Sequence, residues 1–173
     1  MFCSLAGLWV VLAAGCGYRS LYAHPEGERL AVQVGQVLVP DTIAAQSVAS
    51  GARAELSAVG MLASGPDAPR LVVDVLRVDE SSRGIRVQGA SSQPAAAGMS
   101  IAVTARGRCF KAGAQEPQLD TGDVRRAVQV SGDVDPRADS AAYDEAVRDA
   151  AERAGRAVAR AALGIPEPAD EAP

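Results

Sequence analysis

Leu71-Val72-Val73-Asp74-Val75-Leu76-Arg77-Val78 lies between a Gly65-Pro66 turn and a Ser/Gly/Ala/Pro-rich segment, Ser81 to Gly98. Aliphatic residues at nearly every position suit a pleated strand, here Arg70 to Asp79. Strict alternation puts Leu71, Val73 and Val75 on one face and Val72, Leu76 and Val78 on the other, with Asp74 among them. Upstream, Arg29 to Val39 alternates with Leu30, Val32 and Val34 on one side and stops at Pro40, a natural strand boundary. Asp41-Thr42 supplies an N-cap, and Ile43, Val48, Ala52, Leu56 and Val59 recur at helical spacing to Met61.

Downstream, residues 81–98 read as a long loop, with Ile85 and Val87 placed to extend a hairpin arm. Met99 to Phe110 sets Ile101, Val103, Ala105 and Cys109 against Thr104, Arg106 and Arg108, the pattern of a half-solvated antiparallel strand. Gly113 to Gly122 reads as a turn-rich link, and Asp123 to Gly132 as a fourth strand. A stripe of Tyr143, Val147, Ala150, Ala151, Ala154, Val158, Ala161 and Ala162 predicts a helix over 140–163. Gly164 is its C′ cap and Pro166 its stop. Its charges pair at i,i+4 as Asp144–Arg148, Asp149–Arg153 and Glu152–Arg156. The order β-α-β-β-β-α predicts an α+β two-layer sandwich: a four-stranded, mainly antiparallel sheet with two helices on one face.

The composition narrows the chemistry. Lys and Arg total 17 against 21 Asp and Glu, for a net charge of −4, and only Lys111 is lysine. A mildly acidic chain with 3% aromatics offers neither the cationic surface nor the stacking platforms of a nucleic-acid binder. His24 is the only histidine and lies in a Pro/Gly-broken stretch, so no scaffold orients a Ser/His/Asp arrangement around it. No phosphate-loop, nucleophile-elbow or CxxC pattern occurs, and Asp120, Asp123, Asp133 and Asp135 fit turn chemistry better than a cation loop. No enzyme, metal or dissociable cofactor is expected. Cys109 reads as a small buried hydrophobe on its strand. The remaining candidate is a set of guanidinium groups: Arg77, Arg106 and Arg108 on strands, Arg83 and Arg86 on the long loop. If these strands are neighbours, the set forms an anion-binding patch.

The N-terminus carries the sharpest signal. Leu5-Ala6-Gly7-Leu8-Trp9-Val10-Val11-Leu12-Ala13-Ala14-Gly15 runs into Cys16-Gly17-Tyr18, with no charged residue before Arg19. Fifteen helical residues reach about 22 Å against a hydrocarbon core of about 30 Å, so the run suits a signal peptide better than a membrane span. Small residues before a cysteine resemble the lipobox of bacterial lipoproteins, although Ala13 stands where that family usually has Leu. The resemblance implies cleavage before Cys16, a diacylglycerol on its sulfur and an acyl chain on its amine. It divides the chain into a leader (1–15), a lipid-anchored tether (16–28), a domain (29–165) and a disordered acidic tail (166–173).

Cys16-Gly17-Tyr18-Arg19, followed by a tether, a strand, a helix, three strands and a long Ala-rich helix, resembles the LptE family. These are lipopolysaccharide-assembly lipoproteins of Gram-negative outer membranes. The likeness covers roughly residues 16–165 and is one of architecture; only the lipobox region is nearly literal. It implies a plug within an LptD-type outer-membrane β-barrel, on the periplasmic face, with basic residues available to lipopolysaccharide. Arg77, Arg83, Arg86, Arg106 and Arg108 are candidates for that contact by position. Two other readings share the anchor and the small domain: an accessory lipoprotein of an ABC-type lipid transporter, and a structural or ring-forming secretion-pore lipoprotein. Gly17, rather than Asp, after the cysteine favours the outer membrane. Cys16→Ser is expected to abolish acylation and leave an uncleaved or mislocalised precursor. Normal processing and membrane retention of that variant, followed by immunoblotting of fractionated envelopes, would remove the lipoprotein premise.

Overall fold

The computed structural model describes residues 28–39, 41–82, 85–88, 93–96, 98–130 and 136–166. Within them the elements run β1 (Ala31–Val37), α1 (Thr42–Ala58), β2 (Arg70–Ser82), β3 (Ile85–Gln88), β4 (Gln93–Ala96), β5 (Met99–Phe110), β6 (Leu119–Val130) and α2 (Pro136–Ala162). The main sheet has the order β1-β2-β5-β6. β1 runs parallel to β2 because α1 carries the chain back, whereas the other pairs are antiparallel. Within the segment expected as a long loop, β3 and β4 form their own two-stranded hairpin, Ile85 opposite Ala96 and Val87 opposite Pro94.

Two β-bulges set which side chains reach which face. In β2, Val75 opposes Ala105 and Arg77 opposes Thr104, so Leu76 is an extra residue. Simple alternation fails there. Beyond Leu76 the phase reverses, and Val78, expected opposite Val73 and Val75, pairs with core residue Val103 and packs on the core. In β6, Arg106 opposes Asp123 while Arg108 opposes Asp120, leaving an extra residue at Thr121-Gly122. Gly122 takes φ +69°, a conformation glycine reaches without a Cβ penalty. What reads as turn sequence is thus the bulge of a strand that begins at Leu119, four residues before the sequence boundary.

Both helices cover one face of the sheet, and the core fills the space between. Leu56, Leu71, Val73, Val75, Ile101, Val103, Val147 and Val158 are fully buried there. Each contributes about 1.5–3 kcal/mol by leaving water. Asp41 caps α1, accepting from the Ala44 N–H at 3.0 Å. α2 begins four residues before the expected 140, at Pro136, whose fixed φ suits a first helical position. It ends in a Schellman motif: Gly164, at φ +67°, donates to Ala161 O at 3.1 Å and Ile165 donates to Arg160 O at 2.9 Å.

Charges on the helices do not all form the expected solvated ladder. Arg153 meets Asp149 at 2.8 Å and Arg156 meets Glu152 at 3.6 Å, but Arg148 takes Glu145 rather than Asp144. Arg160 crosses to Glu55 of α1 at 2.8 Å, where both side chains are largely covered.

The outer edge of β1 is partly closed by the chain itself. Leu30 bonds to Met61 O and accepts from Ala63 N, and Arg53 reaches the Val32 carbonyl at 3.3 Å. Val34, Val37 and Leu38 stay exposed further along.

Alanine and glycine, uninformative as composition, explain how closely the helices pack. A Cβ on Gly51 would stand 2.1 Å from the Glu152 carbonyl oxygen, and one on Gly155 would stand 2.0 Å from that of Val48. The two backbones touch, and any side chain at either position must force them apart. Gly155→Ala is therefore expected to cost about 1–3 kcal/mol by overpacking. Thermal melts should show this as a fall in Tm of roughly 2–4 °C per kcal/mol; an unchanged Tm would mean that the helices separate freely.

Candidate functional site

The sheet face away from the helices carries the guanidinium groups picked out by the sequence. Arg77, Arg106 and Arg108 fall on adjacent strands β2 and β5, on that one face. Each meets a carboxylate. Arg77 sits 3.1 Å from Asp79, with 65% of its side chain exposed. Arg106 holds Asp120 at 2.8 Å and lies 3.8 Å from Asp123. Arg108 grips the Oδ2 of Asp74 through Nε at 3.1 Å and Nη2 at 2.7 Å. The face is a lattice of alternating charge, not a cationic patch. Arg86 belongs to β3, opposite Ala95, in the separate hairpin. Cys16, Arg83, His24, Asp133, Asp135 and the tail beyond Pro166 lie outside the described residues.

Asp74 organises this lattice. The residue is 4% exposed, and a carboxylate so placed must be supplied with donors. Besides Arg108, it accepts the Gln36 N–H at 2.7 Å. The β1 ladder is irregular between Val34 and Val37, and Gln36 lies inside that gap. Gly35 makes the approach possible, since a Cβ there would fall 2.3 Å from Asp74 Oδ1. One carboxylate thereby ties β1 and β5 to β2.

Asp120 plays a similar part on the surface. The hydrogen bond from Arg106 and one from the Gly122 N–H at 2.9 Å hold its carboxyl below the ordinary carboxylate range. Arg106 is pushed up in return by the same hydrogen bond. A depressed carboxylate stabilises the fold at pH above its unfolded value, and the contribution is lost as pH falls through the folded one. Because both groups are solvated, the pair mainly fixes the β6 bulge and adds little stability. Among the described residues, no group of three or more His, Cys, Asp or Glu side chains is placed to hold a metal ion. Cys109 is buried, and burial pushes its thiol up, away from the reactive thiolate.

Two features of this face escape a reading of the sequence centred on β2 and β5. Arg125, exposed on β6, stands opposite Thr104, which on its other side faces Arg77. Thr104 is 5% exposed, and its hydroxyl has no hydrogen-bond partner among the described residues. The alternation of Val124, Val128 and Val130 already puts Arg125 on the polar side. Among the described residues, grooves lie along both edges of the sheet. An apolar one of about 410 Å³ runs between β1 and the start of α1, lined by Val34, Val37, Val39 and Ala45. A polar one of about 460 Å³ runs between β6 and the end of α2.

Asp74→Ala would leave Gln36 N–H and the partly exposed Arg108 without their acceptor. The expected cost is about 1–3 kcal/mol in denaturant melts, with hydrogen exchange at the Gln36 amide accelerated. Asp74→Asn, which keeps an acceptor for Gln36, should lose less; equal losses would assign the whole effect to Arg108.

No known family profile and no curated protein matches this chain. Solved structures do. A crystal structure of a candidate lipoprotein from Caulobacter crescentus CB15 superposes with a TM-score of 0.51 at 16% identity, covering 82% of this chain and 91% of that one. The rare lipoprotein B of Shewanella oneidensis gives 0.44 at 11% identity, covering 78% and 97%. A minor lipoprotein of Acinetobacter baumannii gives 0.41 at 14%, covering 82% and 98%. At such identities the Caulobacter protein establishes a shared fold, and the two lower scores add nothing to it.

Proposed function

We propose that this chain is an outer-membrane lipoprotein of the LptE type, held by acyl chains on Cys16 and acting by binding an LptD-type β-barrel rather than by catalysis. The observation that carries the reading is Cys16 itself: an uncharged apolar run ends in small residues just before it. The domain that comes after it has the two-layer fold of the Caulobacter candidate lipoprotein, which supports the same assignment. Anchoring through acyl chains follows from elementary energetics. Each buried methylene contributes about 0.8 kcal/mol, and one chain binds only marginally whereas two or more hold stably. No helix among the described residues is long and apolar enough to cross a membrane. The chain then sits on the periplasmic face of the outer membrane.

Lipopolysaccharide contact is the finer part of this reading. The phosphates would compete with Asp79, Asp120 and Asp123 for Arg77 and Arg106, all at least partly solvated. Arg108 is the poorest candidate of the three, because detaching it leaves Asp74 buried and under-supplied.

Affinity purification of the tagged protein from detergent-solubilised envelopes, followed by mass spectrometry, tests the proposal. A near-stoichiometric large β-barrel is the expected partner. ABC-transporter subunits in its place would make the protein a transport accessory. Recovery of the protein alone as a large ring would make it a pore or scaffold component.

A further inference from the structure

On the sheet and the helices most acids hold an arginine, as Asp74, Asp79, Asp120, Glu55, Asp149 and Glu152 do. The end of the molecule where α1 begins is different. Asp41, Glu80 and Asp144 converge there on Tyr143; burial, and then their negative charges, push its phenol up. Among the described residues no cation pairs with any of the three acids. Arg148, the expected partner of Asp144, is taken by Glu145. Asp41 has a local duty as the cap of α1. Glu80 and Asp144 have none: Glu80 stands near the end of β2, and Asp144 lies beyond the first turn of α2, where the helix dipole no longer stabilises an acid.

A groove of about 450 Å³ opens at this point, lined by Val39, Ile43, Val78 and Tyr143 together with Asp41 and Asp144. It shares Val39, Asp41 and Thr42 with the apolar groove along β1, so the two form one trough. In the β1 half, Val34 and Val37 are 44% and 40% exposed. No lysine or arginine lines either half. We propose that this trough docks a segment of a partner protein that presents an arginine or lysine beside aliphatic side chains.

The two halves together select that chemistry. Exposed valines gain by leaving water against aliphatic side chains. Carboxylates without a counter-charge, grouped around an aromatic ring, attract a cation that can lie on the Tyr143 face and pair with Asp144. One occupant must meet both demands, because the halves share residues. An anionic lipid surface or a nucleic acid is repelled by the same carboxylates. The contacts that guard the β1 margin, Arg53 at the Val32 carbonyl and the bridge from Leu30 to Leu62, stop short of Val34 and leave the trough open. The inference rests on the folded domain alone and stands or falls apart from the lipid anchor and the barrel.

The test titrates the full chain in detergent micelles with a short peptide of one arginine flanked by valine and leucine, read by amide shifts. Shifts are expected at residues 34–46 and 143–144, while those of residues 123–126 on β6 stay fixed. The same peptide with glutamate in place of arginine should not bind; this comparison uses the unaltered chain and needs no variant to fold. Glu80→Gln/Asp144→Asn should weaken the arginine peptide several-fold at unchanged Tm, and make its binding less sensitive to salt. Val37→Ser should weaken it by removing apolar contact. Equal binding of the two peptides, equal affinity of the double variant, or no shift at these amides up to about 1 mM peptide overturns the proposal. Shifts at the same amides that grow with protein concentration, without peptide, would put a second copy in the trough and overturn it as well.

Discussion

The carboxylate of Asp74 is the constraint on which the sheet depends. It receives three hydrogen bonds, two from Arg108 and one from the Gln36 backbone. A carboxylate buried to 4% exposure needs those donors to offset the water it has lost. That requirement propagates outward. β1 must be irregular at Gly35-Gln36 to present its N–H, Gly35 must lack a side chain, and Arg108 must lie on the same face of β5 as Asp74 of β2. The parallel strand β1, joined to the sheet only through a helix and one neighbour, is thereby fastened by side-chain chemistry as well as by its ladder.

The two bulges make the rest of the face possible. Leu76 rephases β2 so that Val78 rejoins the core while Arg77 stays with the polar residues. Thr121-Gly122 rephases β6 so that Asp120 and Asp123 both come within reach of Arg106. On the other side of the sheet, Gly51 and Gly155 let α1 and α2 touch backbone to backbone. That contact brings Glu55 and Arg160 together across the helices. Close packing on one face and paired charge on the other are complementary solutions for a chain with few large apolar side chains.

Much of this is legible from residues alone. Period-two and period-three-to-four patterns locate the main strands and both helices, and the two-layer arrangement comes from their order. Gly164 announces the helix end. Two of the misses share a cause: a bulge breaks the periodicity from which faces are read. Alternation puts Val78 on the wrong side and turn composition makes Leu119–Gly122 a link, because one extra residue in a strand looks like noise or a turn. The guanidinium cluster is legible as neighbours on a face, but its neutralisation is not. The signal lies in Asp74, one acid in a run of aliphatics, and in Asp120 and Asp123, which read as turn formers rather than as partners of Arg106.

The free margins of the sheet are guarded in different ways. β6 carries Asp120, Asp123, Arg125 and Arg126 along its length, and charges so placed repel an incoming strand. β1 has no charge between Ala31 and Val37; it relies on Arg53 capping the Val32 carbonyl and on the bridge between Leu30 and Leu62. These are barriers to strand-by-strand polymerisation. They matter most wherever copies of the chain meet at high density. Arg53, lent by α1, is then the stopper on the β1 margin.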